Sequence, residues 1–268
     1  PTTPPTTDIP RIQRRGGGIT FNRPLNGDPY SDSAWRGSLG VQYQRVAIQD
    51  VNGGGIVPKD TLGGDLSFSK TGQDDLFMVQ LGITQDLRNN FTDPTQGTLL
   101  KLGLDQSIPV GLGNIFMTRA RASFTNYTPV KLINFTPGSQ ALVFNVQGGT
   151  ILGDLPPYEA FSLGGSSSIR GYEEGDVGSG RSYLQATAEY RFPLISIVGA
   201  GIFADYGTDL GTGSSVPGNP AGLRGKPGSG FGYGAGIRVN SPIGPIRIDY
   251  ALNNRSESRI QFGIGERF

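Results

Sequence analysis

The chain has 268 residues and a net charge of +1, so no basic field invites nucleic acid and no acidic one a cationic partner. It contains neither cysteine nor histidine, which excludes disulfides, thiolate nucleophiles, Cys/His zinc sites and every imidazole base. Only 35% of the residues are hydrophobic, and 43 glycines with 19 prolines disfavour long helices and suit either disorder or many short strands.

Taken in chain order, "PTTPPTTDIP" opens a Pro/Thr-rich stretch that reads as a linker over 1–15, with neither the basic nor the apolar region of a signal peptide. Strand-like sequence is expected over 16–268. "GITFNRPL" (18–25) and "DLSFSK" (65–70) are weak candidates, and period-two alternation is recurrent from about residue 35. It is visible at 76–87, 99–108, 116–127 and 141–151, then clearest in the last third.

In 182–192, Leu184, Ala186, Ala188, Tyr190 and Phe192 share one face, opposite Tyr183, Gln185, Thr187, Glu189 and Arg191. The longest near-apolar stretch, "FPLISIVGAGIFA" (192–204), is broken by proline and glycine and falls short of the roughly 18 residues of a membrane helix. Within "GAGIFADYGTD" (199–209), Asp205 aligns with Gly201, Phe203 and Gly207. In 231–240, Phe231, Tyr233, Ala235, Ile237 and Val239 alternate with Gly232, Gly234, Gly236, Arg238 and Asn240. Ile246, Ile248, Tyr250 and Leu252 oppose Arg247, Asp249, Ala251 and Asn253. The final run sets Ile260, Phe262, Ile264 and Phe268 against Arg259, Gln261, Gly263, Gly265 and Arg267, with Glu266 breaking the apolar face.

A soluble sandwich or a membrane barrel could produce this alternation. The runs span roughly 9–12 residues, the length a tilted strand needs to cross a bilayer, whereas soluble strands average about 5–6. Aromatics such as Tyr190, Phe192, Tyr206, Phe231 and Phe268 lie near run ends, as an interfacial girdle would. The expected class is therefore all-β, a transmembrane antiparallel β-barrel. About eleven to twelve strands are visible, while a closed single-chain bacterial barrel normally has an even number.

"GGSSSIRGYEEGDVGSG" (164–180) places Arg170 in a glycine- and serine-rich loop. As a phosphate cradle it fails, having no Gly-Lys-Ser/Thr ending and no following helix. A flexible linker remains open on composition alone. Alternation points Glu189 and Asp205 to the same lumenal side, where an inward-folded loop could bring Arg170 to both. Glycines 201 and 207 would leave room at the wall. A paired-carboxylate hydrolase is the enzymatic rival, but outer-membrane enzymes by analogy use histidine, so no enzyme is expected.

"LPPYEAFSLGGSSSIRGY", "GSGRSYLQATAEYRFPL", "GIFADYGTDLG" and "GYGAGIRVNSPIGPIRIDYALN" resemble the outer-membrane β-barrel insertase and translocase superfamily, the BamA-like proteins. The matching motifs are Ile169-Arg170-Gly171-Tyr172 in the loop and Phe203, Asp205 and Gly207 on a strand. The "RNNFTDPTQGTLLKLGLD" hairpin (88–105) is similar too, and the "FGIGERF" ending is most like the cyanobacterial and chloroplast branch. The resemblance implies that loop 154–181 folds into the lumen and that Arg170 contacts Glu189 and Asp205. It implies that Ile260, Phe262, Ile264 and Phe268 form a C-terminal assembly signal on one side of a lateral seam. Its implied function is insertion or translocation of unfolded outer-membrane protein precursors in a lipid bilayer, with no metal, cofactor or nucleic acid. Accessory subunits and periplasmic POTRA domains of the same protein would assist. Family barrels have sixteen strands, so this chain would be a C-terminal part, or alternatively a reduced paralogue. The expected location is the outer membrane of a diderm bacterium, cyanobacterial by preference, or the chloroplast outer envelope. A dedicated secretion channel and a passive solute porin are the alternatives.

Overall fold

Backbone hydrogen bonding makes each alternating run a strand, and closing the ladders between neighbours makes one sheet. A computed structural model describes residues 10–26, 33–50, 53–134, 138–195, 197–241 and 244–268. The strands are β1 (Arg11–Pro24), β2 (Trp35–Gln49), β3 (Gln73–Asp86), β4 (Gly97–Ile108), β5 (Met117–Pro129) and β6 (Ala141–Gly153). Two short strands, β7 (Phe161–Leu163) and β8 (Gly178–Gly180), pair only with each other. Then come β9 (Ser182–Ile195), β10 (Val198–Thr208), β11 (Ser229–Val239), β12 (Ile246–Asn253) and β13 (Ser258–Ile264). All but β7 and β8 form an 11-stranded sheet in which chain neighbours pair antiparallel and β9 follows β6 directly. Among the described residues no ladder joins β1 to β13, so the sheet remains open.

The sheet is inside-out. Ile19, Phe21, Leu39, Leu81, Phe144, Ile202, Tyr233, Ile248, Ile260 and Phe262 are exposed. Asp105, Asn145, Gln185, Glu189, Arg191, Asp205, Arg238 and Asp249 are buried. A soluble sandwich would have the reverse; an apolar skin over a polar interior is the arrangement for which lipid is the outer solvent. No helix of the described residues is long and apolar enough to cross a membrane, a fact without bearing on a barrel, which crosses by strands.

The three longest connections, 50–72, 154–181 and 209–228, all lie at one end, together with 109–116 and 254–257, and those at the other end are no longer than 130–140. At the long-loop end the interior turns apolar. Val46, Ile48, Leu76, Met78, Met117 and Ile151 from the strands pack with Leu155 and Val216 from the loops, joined by Leu66, Phe68 and Tyr158. The loops thus close that mouth with a small hydrophobic core of their own.

Two boundaries differ from the sequence reading. The expected linker edge at 15/16 falls inside β1, which begins at Arg11; residues 1–9 lie outside the described residues. The run "RIQRR" joins the sheet because a ladder needs only backbone groups, and Arg11–Arg15 register with Gln49–Arg45. Residues 65–70 form no strand of the sheet. Asp74 accepts the Phe68 and Ser69 amides at 2.7 and 2.8 Å, and Ser67 Oγ accepts that of Gly72, which holds the segment in a turn.

Candidate functional site

Residues 154–181 leave β6 and return to β9 through the sheet interior. A tight turn, closed by the Ser168 amide on the Gly165 carbonyl (3.2 Å) and the Gly165 amide on that of Ile169 (3.1 Å), presents Arg170 to the wall. Gly171 follows at φ 91°, a left-handed conformation, and a Cβ there would press on the backbone of Leu252. Ile169 packs with Leu163, Tyr172 and Val177 in a small apolar cluster inside the loop.

Arg170 is fully buried. Its Nε and Nη2 donate to the two Asp205 oxygens at 2.7 and 3.0 Å, a bidentate pair, and its own amide donates to Asp205 at 3.1 Å. Nη1 donates to Glu189 at 3.1 Å and to Asp249 at 3.4 Å. The guanidinium carbon lies 3.3 Å from the centroid of the Phe203 ring, so the cation is stacked as well as paired. The sequence-derived partners Glu189 and Asp205 are therefore brought together, and Phe203 forms the floor beneath the cation.

Gly201 and Gly207 have separate uses. A Cβ at Gly207 would come within 2.7 Å of Ile169 Cδ1, so Gly207 seats the loop's isoleucine. Gly201 lies under Glu189 and Arg238 and leaves space for their side chains. β11 supplies a lane the sequence reading did not interpret. Side chains at Gly230, Gly232, Gly234 and Gly236 would meet Tyr172, the Arg170 carbonyl, Phe203 and Asp249 respectively. Gly230 and Gly232 thus let the loop lie close against the wall, while Gly234 and Gly236 leave room for Phe203 and Asp249 of the neighbouring strands.

The arginine belongs to a wider ionic lattice. Glu189 also receives Arg191 (2.9 Å) and Arg238, and Asp205 receives Arg267 (3.0 Å) and the Thr187 hydroxyl (2.8 Å). Tyr172 reaches Asn254, the Gly171 carbonyl accepts Asn253, and Gln261 of β13 accepts the Gly171 amide while donating to the Tyr172 carbonyl. Asp249, Arg267, Arg191, Arg238 and Gln261 were missed as partners, although each stood on a polar face of the alternation. Arg191 is the next residue on the same face as Glu189, and the register between strands would have drawn in Asp249 and Arg238. Arg267 lies past the end of β13, where no register applies.

The expected C-terminal set divides. Ile260, Phe262 and Ile264 face outward and are 63, 69 and 68% exposed. Phe268 does not continue that face. β13 stops at Ile264, Gly265 turns at φ 84° with its amide on the Pro245 carbonyl, and the tail enters the interior. Phe268 packs on Tyr127, Ala141 and Val143, Arg267 reaches Asp205, and Glu266 accepts Arg191 at 2.9 Å. Glu266 interrupted the apolar alternation because it belongs to the interior.

A bilayer-spanning antiparallel sheet, apolar outside, ionic inside and plugged by its own loop, defines an integral β-barrel protein of an outer membrane. The Omp85 superfamily domain matches residues 3–268, and the chain belongs to that superfamily. It is 38% identical over 257 residues to chloroplastic Outer envelope protein 80 of Arabidopsis thaliana, covering 96% of this chain and 32% of that protein. It is 34% identical over 264 residues to chloroplastic Outer envelope protein 39 of the same plant, covering 96% of this chain and 69% of that one. Protein TOC75 of Pisum sativum is 33% identical over 226 residues, 81% of this chain and 27% of that protein. The chain thus spans about a third of the length of Outer envelope protein 80. Among solved structures, BamA from Haemophilus ducreyi lacking POTRA domains 1–3 superposes with a TM-score of 0.68 at 17% identity, covering 96% of this chain and 55% of that one, a likeness of fold. These relatives and the inside-out surface place the chain in an outer membrane, of the bacterial or chloroplast-envelope kind.

Proposed function

We propose that this chain is the membrane-embedded part of a machine that inserts or translocates unfolded β-barrel precursors at an outer membrane, working with POTRA domains of the same protein and with accessory subunits. The observation that carries this reading is the grip of the plug on the end of the sheet. Arg170, Gly171 and Tyr172 hold β9, β10, β12 and β13 together through Glu189, Asp205, Asp249 and Gln261. β13 offers an outer edge with no ladder partner among the described residues, and a sheet edge is what an incoming strand can extend. The latch sets where that edge stands.

The apolar cap at the long-loop end and the loop inside favour this reading over a passive solute porin, whose lumen must stay wet and open. Catalysis forms no part of the proposal. Glu189 and Asp205, the carboxylates a hydrolase would use, are engaged by arginines at hydrogen-bond distance.

The test is reconstitution of the full-length protein in liposomes with an unfolded outer-membrane barrel as substrate, following folding by heat-modifiable gel mobility. The native protein should accelerate folding, and Arg170→Ala, inserted to the same extent, should not. No acceleration together with a steady open conductance would replace the proposal with a channel.

A further inference from the structure

The plug meets the wall at a second place, eleven residues before Arg170 in sequence and on other strands. After Pro156 and Pro157, a single 3-10 turn, Pro157–Glu159, points two side chains at the wall. Glu159 is 6% exposed. Its Oε1 accepts Arg14 of β1 at 2.6 Å and its Oε2 accepts Arg119 of β5 at 2.7 Å. Arg119 and Arg121 in turn donate to Asp105 of β4 at 2.9 and 2.8 Å. The Tyr158 hydroxyl donates to Asp74 of β3 at 2.9 Å, while the Arg14 guanidinium lies 5.4 Å from the Tyr158 ring centroid. Burial, together with the Asp74 carboxylate, pushes the Tyr158 phenol well above its ordinary range and keeps it a donor.

None of these partners touches the Arg170 lattice, which sits on β9 to β13 and the C-terminal tail. We infer that Tyr158 and Glu159 form a second, independent anchor, and that the plug leaves the interior only when both anchors have let go. The physical ground is tethering. With either anchor closed, the other stays within reach through residues 160–169, at the millimolar-order effective concentration typical of a short linker, and recaptures its partners. Glu159 is thus a positioning residue for the plug, acting on Arg170 through the chain between them. The inference stands on this geometry alone, independent of whether the protein inserts precursors.

The chain has no cysteine, so one introduced thiol reports cleanly. Val177 is fully buried in the plug cluster, and Val177→Cys keeps a small apolar side chain there. The protein carrying Val177→Cys is placed in liposomes and labelled with a membrane-impermeant maleimide; the labelling rate reads the population of displaced plug. Glu159→Gln should raise the rate by about tenfold and Arg170→Met by about a hundredfold, and the double variant by about the product of the two, roughly a thousandfold, because the anchors share no partner. Tyr158→Phe, which leaves the ion pairs in place, should act like a weaker Glu159→Gln. Heat-modifiable mobility checks that each variant is folded. A folded Glu159→Gln or Tyr158→Phe protein that labels at the parent rate would overturn the inference. So would a double variant that labels no faster than Arg170→Met alone.

Discussion

Arg170 has no route to water, and its stability contribution must be reckoned against what remains when it is removed. Breaking a buried pair leaves unpaired charge and costs about 3–5 kcal/mol. Here Asp205 would keep Arg267 and Thr187, and Glu189 would keep Arg191 and Arg238, so Arg170→Met should fall near the lower end, about 3 kcal/mol by equilibrium urea unfolding in vesicles. Arg170→Lys should recover little, since an ammonium cannot reproduce the bidentate contact with Asp205 or the stacking on Phe203. Near-complete recovery by lysine would mean that charge alone holds the loop. A simple charge exchange between positions 170 and 205 is a poor rescue, because a basic residue at 205 would face Arg267. The sequence revealed two partners for Arg170 since both stand on neighbouring strands whose polar faces alternation marks. It concealed Asp249, which lies 3.4 Å away but 79 positions along the chain and on a strand joined to β10 only through β11.

At the level of elements, alternation located the strands well because each side chain faces one of two unlike solvents, lipid or ionic interior. It misled where one solvent ended. The last run looked like one apolar face reaching Phe268 and broken only at Glu266, yet Gly265 redirects the tail, and a glycine's freedom to turn is not a pattern of hydropathy. The two environments can be told apart directly. Trp35 is the sole tryptophan, so in a Trp35→Phe background Phe262→Trp should be strongly quenched by brominated acyl chains and Phe268→Trp hardly at all. Equal quenching would return Phe268 to the lipid face. The glycine lane of β11 makes a second element-scale prediction. Gly232→Ala would drive a methyl into the Arg170 carbonyl and should displace the plug, raising maleimide labelling of Val177→Cys by about tenfold or more. Gly17→Ala, on a strand position with open space, should leave that rate unchanged.

At the scale of the whole molecule, the wall is uneven. β2 has 15 residues, whereas β12 has 8 and β13 only 7. With a rise of about 3.4 Å per residue and a tilt near 40°, β2 stands about 39 Å high and β13 about 18 Å, against an apolar band of about 25 Å. A bilayer next to β13 must thin to meet so short a wall, at a fraction of a kcal/mol per Å of mismatch. Thinning falls at the same edge that the Arg170 latch positions, so under the proposed function a precursor would meet an unpaired strand and a weakened membrane at one place. If that conjunction drives insertion, the advantage over spontaneous folding must grow with lipid thickness, because spontaneous folding slows while the local defect persists. The ratio of assisted to unassisted folding should rise roughly fivefold between vesicles of 14-carbon and 18-carbon lipids. A ratio that stays flat would leave strand addition as the whole mechanism. A rise that survives when β12 and β13 are lengthened to the height of β2 would locate the thinning elsewhere on the wall.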